Sequence, residues 1–261
     1  MMKLDEVNKR LQVGIEAARS AGKILELYAN KIKKLETKNN IPRDVYSKVD
    51  LMSENKIFLI IREKFKNDSL HGEENGKINK KGNYKWIIDP LDGTVNYSHS
   101  IPIYSISIAI FYKDKCVAGI IYNPNSDEMF YGSINNGSYC NGIKLKVSNE
   151  SRLKNSLVVA ALPSKIKNKK KIYNLFDSLN ENSRGVLRIG SAAIAYTFLA
   201  SGKIEAIWGF NNKVWDVAAG ILILNEAGGK TSTHNNKKYN YKNFLVSSNK
   251  KIHHELLKIT K

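Results

Sequence analysis

The spacing of apolar positions changes twice along the chain, and each change predicts a different kind of element. Near the N-terminus, Val7, Leu11, Ile15, Ala18, Gly22 and Leu25 recur every three or four residues, the stripe of an amphipathic helix over 7–28. After a polar stretch a second helical pattern ends near Phe65, with Asp50 expected as its N-cap and Glu54 close to a capping-box position. The middle of the chain reads as strands. Ser69 to His71 is strand-like, Trp86-Ile87-Ile88 is a short apolar strand, and Ile106, Ile108 and Ile110 alternate with Ser and Ala. An apolar run over 117–122 follows a turn at Lys113-Asp114-Lys115, and strands at 129–132 and 138–140 carry turns at Asn136-Gly137 and Asn141-Gly142. The last third alternates: a helix over 192–200, a strand over 204–210, and a helix over 215–227 stopped by Gly228-Gly229. This order predicts an α/β (α+β) protein of sheets layered with helices. One unit over 1–261 is expected, with subdomains of about 1–145 and 146–261 meeting at a cleft.

Composition narrows the class. With 261 residues, 42% of them hydrophobic, the chain can bury a sizeable core. No apolar run approaches the roughly 18 residues a membrane helix needs, since the longest, over 101–112, is broken by Pro102, Ser105 and Ser107. The first ten residues carry both signs of charge, unlike a secretory signal, so a cytoplasmic protein is expected. Cys116 and Cys140 form no CxxC pair, and the five histidines are scattered, which argues against a disulfide framework and a zinc site. The 42 basic against 24 acidic residues give a net charge of +18, with local runs at 167–171 and Lys237-Lys238. Aromatics do not interleave with the lysines, so nucleic-acid binding is a secondary expectation, behind compositional drift and attraction of anionic substrates.

The chemistry concentrates where the strand at 86–88 runs into Asp89-Pro90-Leu91-Asp92-Gly93-Thr94. Two carboxylates three residues apart at a strand end repel each other and lose hydration, so they call for a counter-charge. Hard oxygen donors with no Cys or His nearby point to Mg²⁺ or Mn²⁺. Gly93 lets the backbone approach a ligand, consecutive amides at the turn suit phosphate oxygens, and the Thr94 hydroxyl can align a water. By itself the motif also fits a turn with solvated acids or a calcium loop. Glu73, in the loop Gly72-Glu73-Glu74, and Asp216, in the first turn of a helix, bring the acids to four from three separate places. That suffices for a two-metal cluster with ions about 3.5–4 Å apart, suited to displacement at phosphorus.

With these motifs in hand, the chain resembles the inositol monophosphatase family. The match rests on WIIDPLDGTVNY over 86–97, WDVAAG over 215–220, Glu226-Ala227-Gly228-Gly229, the Gly72-Glu73-Glu74 loop and the Asp44 to Asp50 segment, in order over nearly the whole chain. The resemblance implies a layered αβαβα sandwich of the inositol monophosphatase and fructose-1,6-bisphosphatase type. It implies two or three Mg²⁺ (or Mn²⁺): one on Glu73, Asp89 and the Leu91 carbonyl, one on Asp89, Asp92 and Asp216, and a weaker third leaning on Glu73. Thr94 with Asp50 would orient and deprotonate the attacking water, and Glu73 is counted with them as catalytic. Amides of Gly93 and Thr94 would grip the phosphate, and Asp92, Gly190, Ser191, Ala192 and Asp216 would line the substrate pocket. A homodimer and inhibition by lithium are implied as well. The implied substrate is a small phosphorylated polyol, first of all inositol monophosphate, with histidinol phosphate and fructose 1,6-bisphosphate as alternatives. Some bacterial members of the family are associated with RNA or the transcription machinery. The pattern departs at one place: the acid common seven positions before the WD aspartate is Gly209 here, which points to a changed or broader substrate. Val95-Asn96-Tyr97 resembles the inositol monophosphatase branch, whereas bisphosphate-nucleotide phosphatases commonly carry a lysine after the threonine.

Overall fold

The computed structural model describes residues 2–29, 36–37, 45–46, 48–162, 169–242 and 244–260. Asp44 of the family-like segment and Lys167 of the basic run lie outside them. The chain begins with helix α1 (Leu4–Tyr28), a two-residue ribbon of β1 (Glu36–Thr37) and β2 (Val45–Tyr46), and helix α2 (Lys48–Lys64). Then come strands β3 (Ser69–Gly72), β4 (Lys77–Ile78) and β5 (Tyr84–Asp92), and the short helix α3 (Thr94–Ser98). The meander follows as β6 (Ser105–Tyr112), β7 (Lys115–Asn123), β8 (Glu128–Ser133), β9 (Ser138–Cys140) and β10 (Ile143–Lys144). The last part runs β11 (Leu157–Ala161), α4 (Lys169–Glu181), β12 (Gly185–Leu187), α5 (Ala192–Ala200), β13 (Ala206–Phe210), α6 (Val214–Glu226), β14 (Lys230–Ser232), β15 (Phe244–Ser248) and α7 (His253–Thr260).

An eight-stranded sheet takes the order β10-β9-β8-β7-β6-β5-β3-β4, and a five-stranded sheet the order β12-β11-β13-β15-β14. Because side chains alternate along a strand, each sheet buries both faces against different partners. Trp86, Ile88, Ile106, Ile108 and Ile120 pack with Val7, Leu11, Ile57 and Ile61 of α1 and α2. The opposite face, through Ile87, Ala109 and Ile121, meets Ala193 of α5 and Ala218, Ala219 and Ile223 of α6. The other side of those two helices, including Tyr196, Leu199, Val217 and Leu224, covers Val159, Ile207 and Leu245 of the second sheet. Its far face, through Val158, Trp208 and Val246, is closed by Leu175 and Leu179 of α4 and Leu256 and Leu257 of α7. The layers alternate helix, sheet, helix, sheet, helix, the expected sandwich. No helix among the described residues is long and apolar enough to cross a membrane.

Two expectations change. The central strand reaches from Tyr84 to Asp92, well beyond 86–88, and its pairing with β6 is irregular between Asp89 and Asp92. Pro90 falls inside that irregularity, where a missing ladder donor is tolerated. Asp50 is no N-cap: α2 starts at Lys48, and Asp50, only 2% exposed, turns inward in its first turn.

Candidate active site

Each acid arrives on a different element. In β5, Asp89 is buried and its Oδ1 accepts the Leu91 amide at 3.0 Å. Ser53 of α2 donates to the Pro90 carbonyl at 2.9 Å, pinning the helix to the strand beside that acid. Gly93 then turns the chain with φ 94°, and a Cβ there would lie 2.8 Å from the Ile103 carbonyl, so the turn needs glycine twice over. Thr94 opens α3, and its Oγ1 lies 3.0 Å from the Leu91 carbonyl and 3.3 Å from Asp50 Oδ1. A hydroxyl has one hydrogen, so it serves these two acceptors in turn and keeps lone pairs for a third group.

Glu73 follows β3, and its amide donates to the Ile88 carbonyl at 3.1 Å, which ties the loop to β5. Glu54 of α2 braces the same loop by accepting the amides of Glu74 at 3.3 Å and Asn75 at 2.6 Å. Burial raises the Glu54 pKa. Asp92 is held at the start of α5: Ser191 Oγ and the Ala193 amide (2.7 Å) donate to Oδ2, and the Ala192 amide (3.3 Å) donates to Oδ1. Asp216, in the first turn of α6, accepts the Lys213 amide at 2.9 Å. Asn96 donates to the carbonyls of Ile103 and Ile189, both at 2.8 Å, and so fastens α3 to the segment leading into Gly190.

Glu73, Asp89, Asp92 and Asp216 line one cavity of about 720 Å³, together with Leu91, Gly93, Thr94 and the segment Gly190, Ser191 and Ala192. Asp50 stands behind Thr94 and does not line it. Burial and neighbouring charge raise three of these acids. Burial, then the charges of Glu73, Asp92 and Asp216, push the Asp89 pKa well above the ordinary carboxylate range. Burial and the charges of Glu73 and Asp92 do the same to Asp216. Asp92 is pushed up to about 6 by burial, against the opposing hydrogen bonds of Ser191, Ala193 and Ala192. Among the described residues, no three acidic, histidine or cysteine side chains are already gathered as a metal-holding cluster. The four acids share a cavity, and Asp89, Asp92 and Asp216 each accept from a protein donor of their own. As a donor set they suit a hard divalent cation: the lining offers carboxylates and a carbonyl with no cysteine or histidine among the described residues, and its negative charge is self-repelling.

A sequence profile of the inositol monophosphatase family matches residues 6–261. The chain belongs to the inositol monophosphatase family. It is 32% identical over 259 residues to "Fructose-1,6-bisphosphatase/inositol-1-monophosphatase" of Aquifex aeolicus, covering 99% of this chain and 97% of that one. It is also 32% identical over 254 residues to "Nus factor SuhB" of Pseudomonas aeruginosa, with 95% and 94% covered. Among solved structures, extragenic suppressor protein suhB from Bartonella henselae superposes with a TM-score of 0.92 at 29% identity, covering 97% of this chain and 98% of that one. The inositol monophosphatase from Anabaena superposes with a TM-score of 0.84 at 30% identity, covering 97% and 96%.

Against this family background, the supports of the site are what the sequence reading missed. Ser53, Glu54 and Asn96 make the bonds that hold the acids in place, yet the sequence marks Glu54 only near a capping-box position, Asn96 only as part of the Val95-Asn96-Tyr97 motif, and Ser53 not at all. A signal was present: Asp50, Ser53, Glu54, Ile57 and Ile61 share the buried face of α2, and polar residues at core-facing positions mark a buried job. Ser191 was expected in the pocket and lies there, also capping α5 by accepting the Ile194 amide at 3.1 Å.

Proposed function

We propose that this protein is a divalent-cation-dependent phosphatase acting on a phosphate monoester of a small polyol, with inositol monophosphate as the leading substrate. The observation that carries the reading is the gathering of Glu73, Asp89, Asp92 and Asp216 around one cavity beside the Thr94–Asp50 pair. Glu73, Asp89 and the Leu91 carbonyl would hold one Mg²⁺, and Asp89, Asp92 and Asp216 another; Mn²⁺ suits the same donors. Bound there, such ions would neutralise phosphate charge and lower the pKa of a water so that it ionises to a nucleophilic hydroxide near neutral pH. The chain's own work is positional. Thr94 donates its proton to Asp50 Oδ1 and accepts from the attacking water, so Asp50 draws a proton through the hydroxyl. The turn at Gly93 presents the amides of Gly93 and Thr94 to phosphate oxygens. Asp92 stays fixed because Ser191, Ala192 and Ala193 hold it, and a fixed group loses little entropy when substrate binds.

Phosphate release from inositol, sugar and histidinol phosphates, with and without Mg²⁺, tests the reading. Mg²⁺-dependent release from at least one polyol ester is expected, and equal, negligible rates throughout would contradict it. The +18 charge and the relatives named Nus factor favour a second role, binding to RNA or the transcription machinery. A gel shift that weakens steeply with salt and survives Asp89→Asn is its expected mark, and no shift at physiological salt would remove it.

A further inference from the structure

Helices α5 and α6 both begin at the acid-lined cavity, and both end at a second cavity of the opposite charge. The 13 residues of α6 set the two about 20 Å apart. Ala227 and Gly228, just after α6, line this second cavity of about 390 Å³ together with Lys146, Val147, Lys250 and Lys251. Gly202, just after α5, backs the same segment, since a Cβ there would lie 3.0 Å from the Ser148 amide. Asn249, 2% exposed, ties the two lysine-bearing stretches together. Its Nδ2 donates to Ser148 Oγ at 3.0 Å and to the Glu150 carbonyl at 2.8 Å, and its Oδ1 accepts the Ile252 amide at 3.2 Å.

Among the described residues, nothing answers the charge of Lys146 and Lys250. No acid lines the cavity, and neither lysine forms an ion pair. The acids on adjoining segments are engaged by backbone amides: Glu150 by Ser151 and Arg152, Glu205 by Leu157, Glu226 by Asn135 and Gly137. Nor are the lysines needed to cap α6. The carbonyls of Ile223, Leu224, Asn225 and Ala227 at its end accept from the amides of Ala227, Gly229, Gly228 and Val147. Lys251 reaches only the Asn149 carbonyl, at 3.3 Å, and Lys250 holds φ 75°, left-handed backbone that a lysine adopts at a cost. Three lysines around one concavity of ligand size leave a positive charge that a multiply charged anion fits.

We propose that this cavity binds a di- or polyphosphate group, free or carried on a small molecule, at a site separate from the acid-lined one. Lysine suits phosphate as a mobile point charge, and a single carboxylate would leave three cations under-compensated. Binding here needs neither Mg²⁺ nor turnover, so its outcome is independent of the phosphatase reading.

Calorimetric titration of the chelator-treated protein with inorganic pyrophosphate at low salt tests the proposal. In chelator the four carboxylates of the other cavity repel an anion, so the lysine cavity is read alone. Saturable binding of one equivalent per chain is expected, weakened about tenfold or more by the double change Lys146→Ala and Lys250→Ala. The double change Lys169→Ala and Lys170→Ala removes the same charge from α4 and is expected to weaken binding by less than about twofold. No saturable binding overturns the proposal. Equal weakening by the two pairs overturns it as well, because net charge alone would then draw the anion. Adenosine diphosphate in the same titration distinguishes the source, and either result leaves the site standing: tighter binding than pyrophosphate shows that the cavity also takes the organic part, and binding no tighter shows that it reads the phosphates alone.

Discussion

Two buried acidic sites in this fold treat charge in opposite ways. At the Asp68 site the protein supplies the counter-charge itself. Arg10 of α1 donates from Nε to Asp68 Oδ2 at 2.8 Å and from Nη2 to Oδ1 at 3.0 Å, and Trp86 Nε1 adds a third bond at 2.8 Å. The guanidinium lies 3.6 Å from the centroid of Tyr84 and 4.3 Å from that of Phe65, so both ions are enclosed. At the cavity, Asp89, Asp92 and Asp216 accept hydrogen bonds from neutral groups: backbone amides and the Ser191 hydroxyl. Burial first, and then the charges of Glu73 and of one another, raise their pKa values against the lowering pull of those hydrogen bonds. The first arrangement fastens α1 to the sheet. The second leaves a charge deficit that a bound cation would correct, and that deficit is what makes the cavity a candidate site.

The largest effect is expected from removing one member of the deficit. Asp89→Asn should lower kcat roughly a thousandfold or more while the far-ultraviolet circular dichroism stays native, because a buried repelling charge is lost with no packing change. Near-normal turnover would refute the ligand role of Asp89. Breaking the self-compensated pair acts on stability instead. Arg10→Met strands Asp68 and should cost about 3–5 kcal/mol in denaturant unfolding, with activity per folded molecule retained. Thr94→Ala comes next, with an expected loss in kcat of about a hundredfold if the hydroxyl relays a proton to Asp50; a change confined to KM would count against the relay.

The smallest effect sharpens the comparison through pH. The raised carboxylates are favoured in the fold when protonated, so their contribution to stability is full below about pH 4, the unfolded value. It fades as pH rises through the folded values, about 6 for Asp92. In chelator, the melting temperature should therefore drift down between pH 4 and 7 relative to an Asp89→Asn variant, and added Mg²⁺ should raise it more at pH 7 than at pH 5. Equal Mg²⁺ shifts at both values would separate the cation from these acids.

Much of this was legible in the chain, for a physical reason. The run from Trp86 to Thr94 is covalently local, so its apolar strand, its two acids and its glycine turn lie next to one another in sequence as in space. The helix expected over 192–200 is equally local and is found there, with Ser191 as its cap. The supports were hidden because they join distant segments: Ser53 to Pro90, Glu54 to Glu74 and Asn75, Ser191 to Asp92. The N-cap reading of Asp50 fails for the same reason, while the pairing with Thr94 that the family resemblance implies is present. Local spacing offered it a helix N-terminus, but the tertiary fold gave it Thr94.

Calorimetric titration of the chelator-treated protein with Mg²⁺ at pH 7 tests the cavity's role most directly. Saturable binding by the wild type, lost in both Asp89→Asn and Asp216→Asn, is the predicted result, since these acids come from separate elements and meet only in the fold. Binding left unchanged by either substitution would contradict the account.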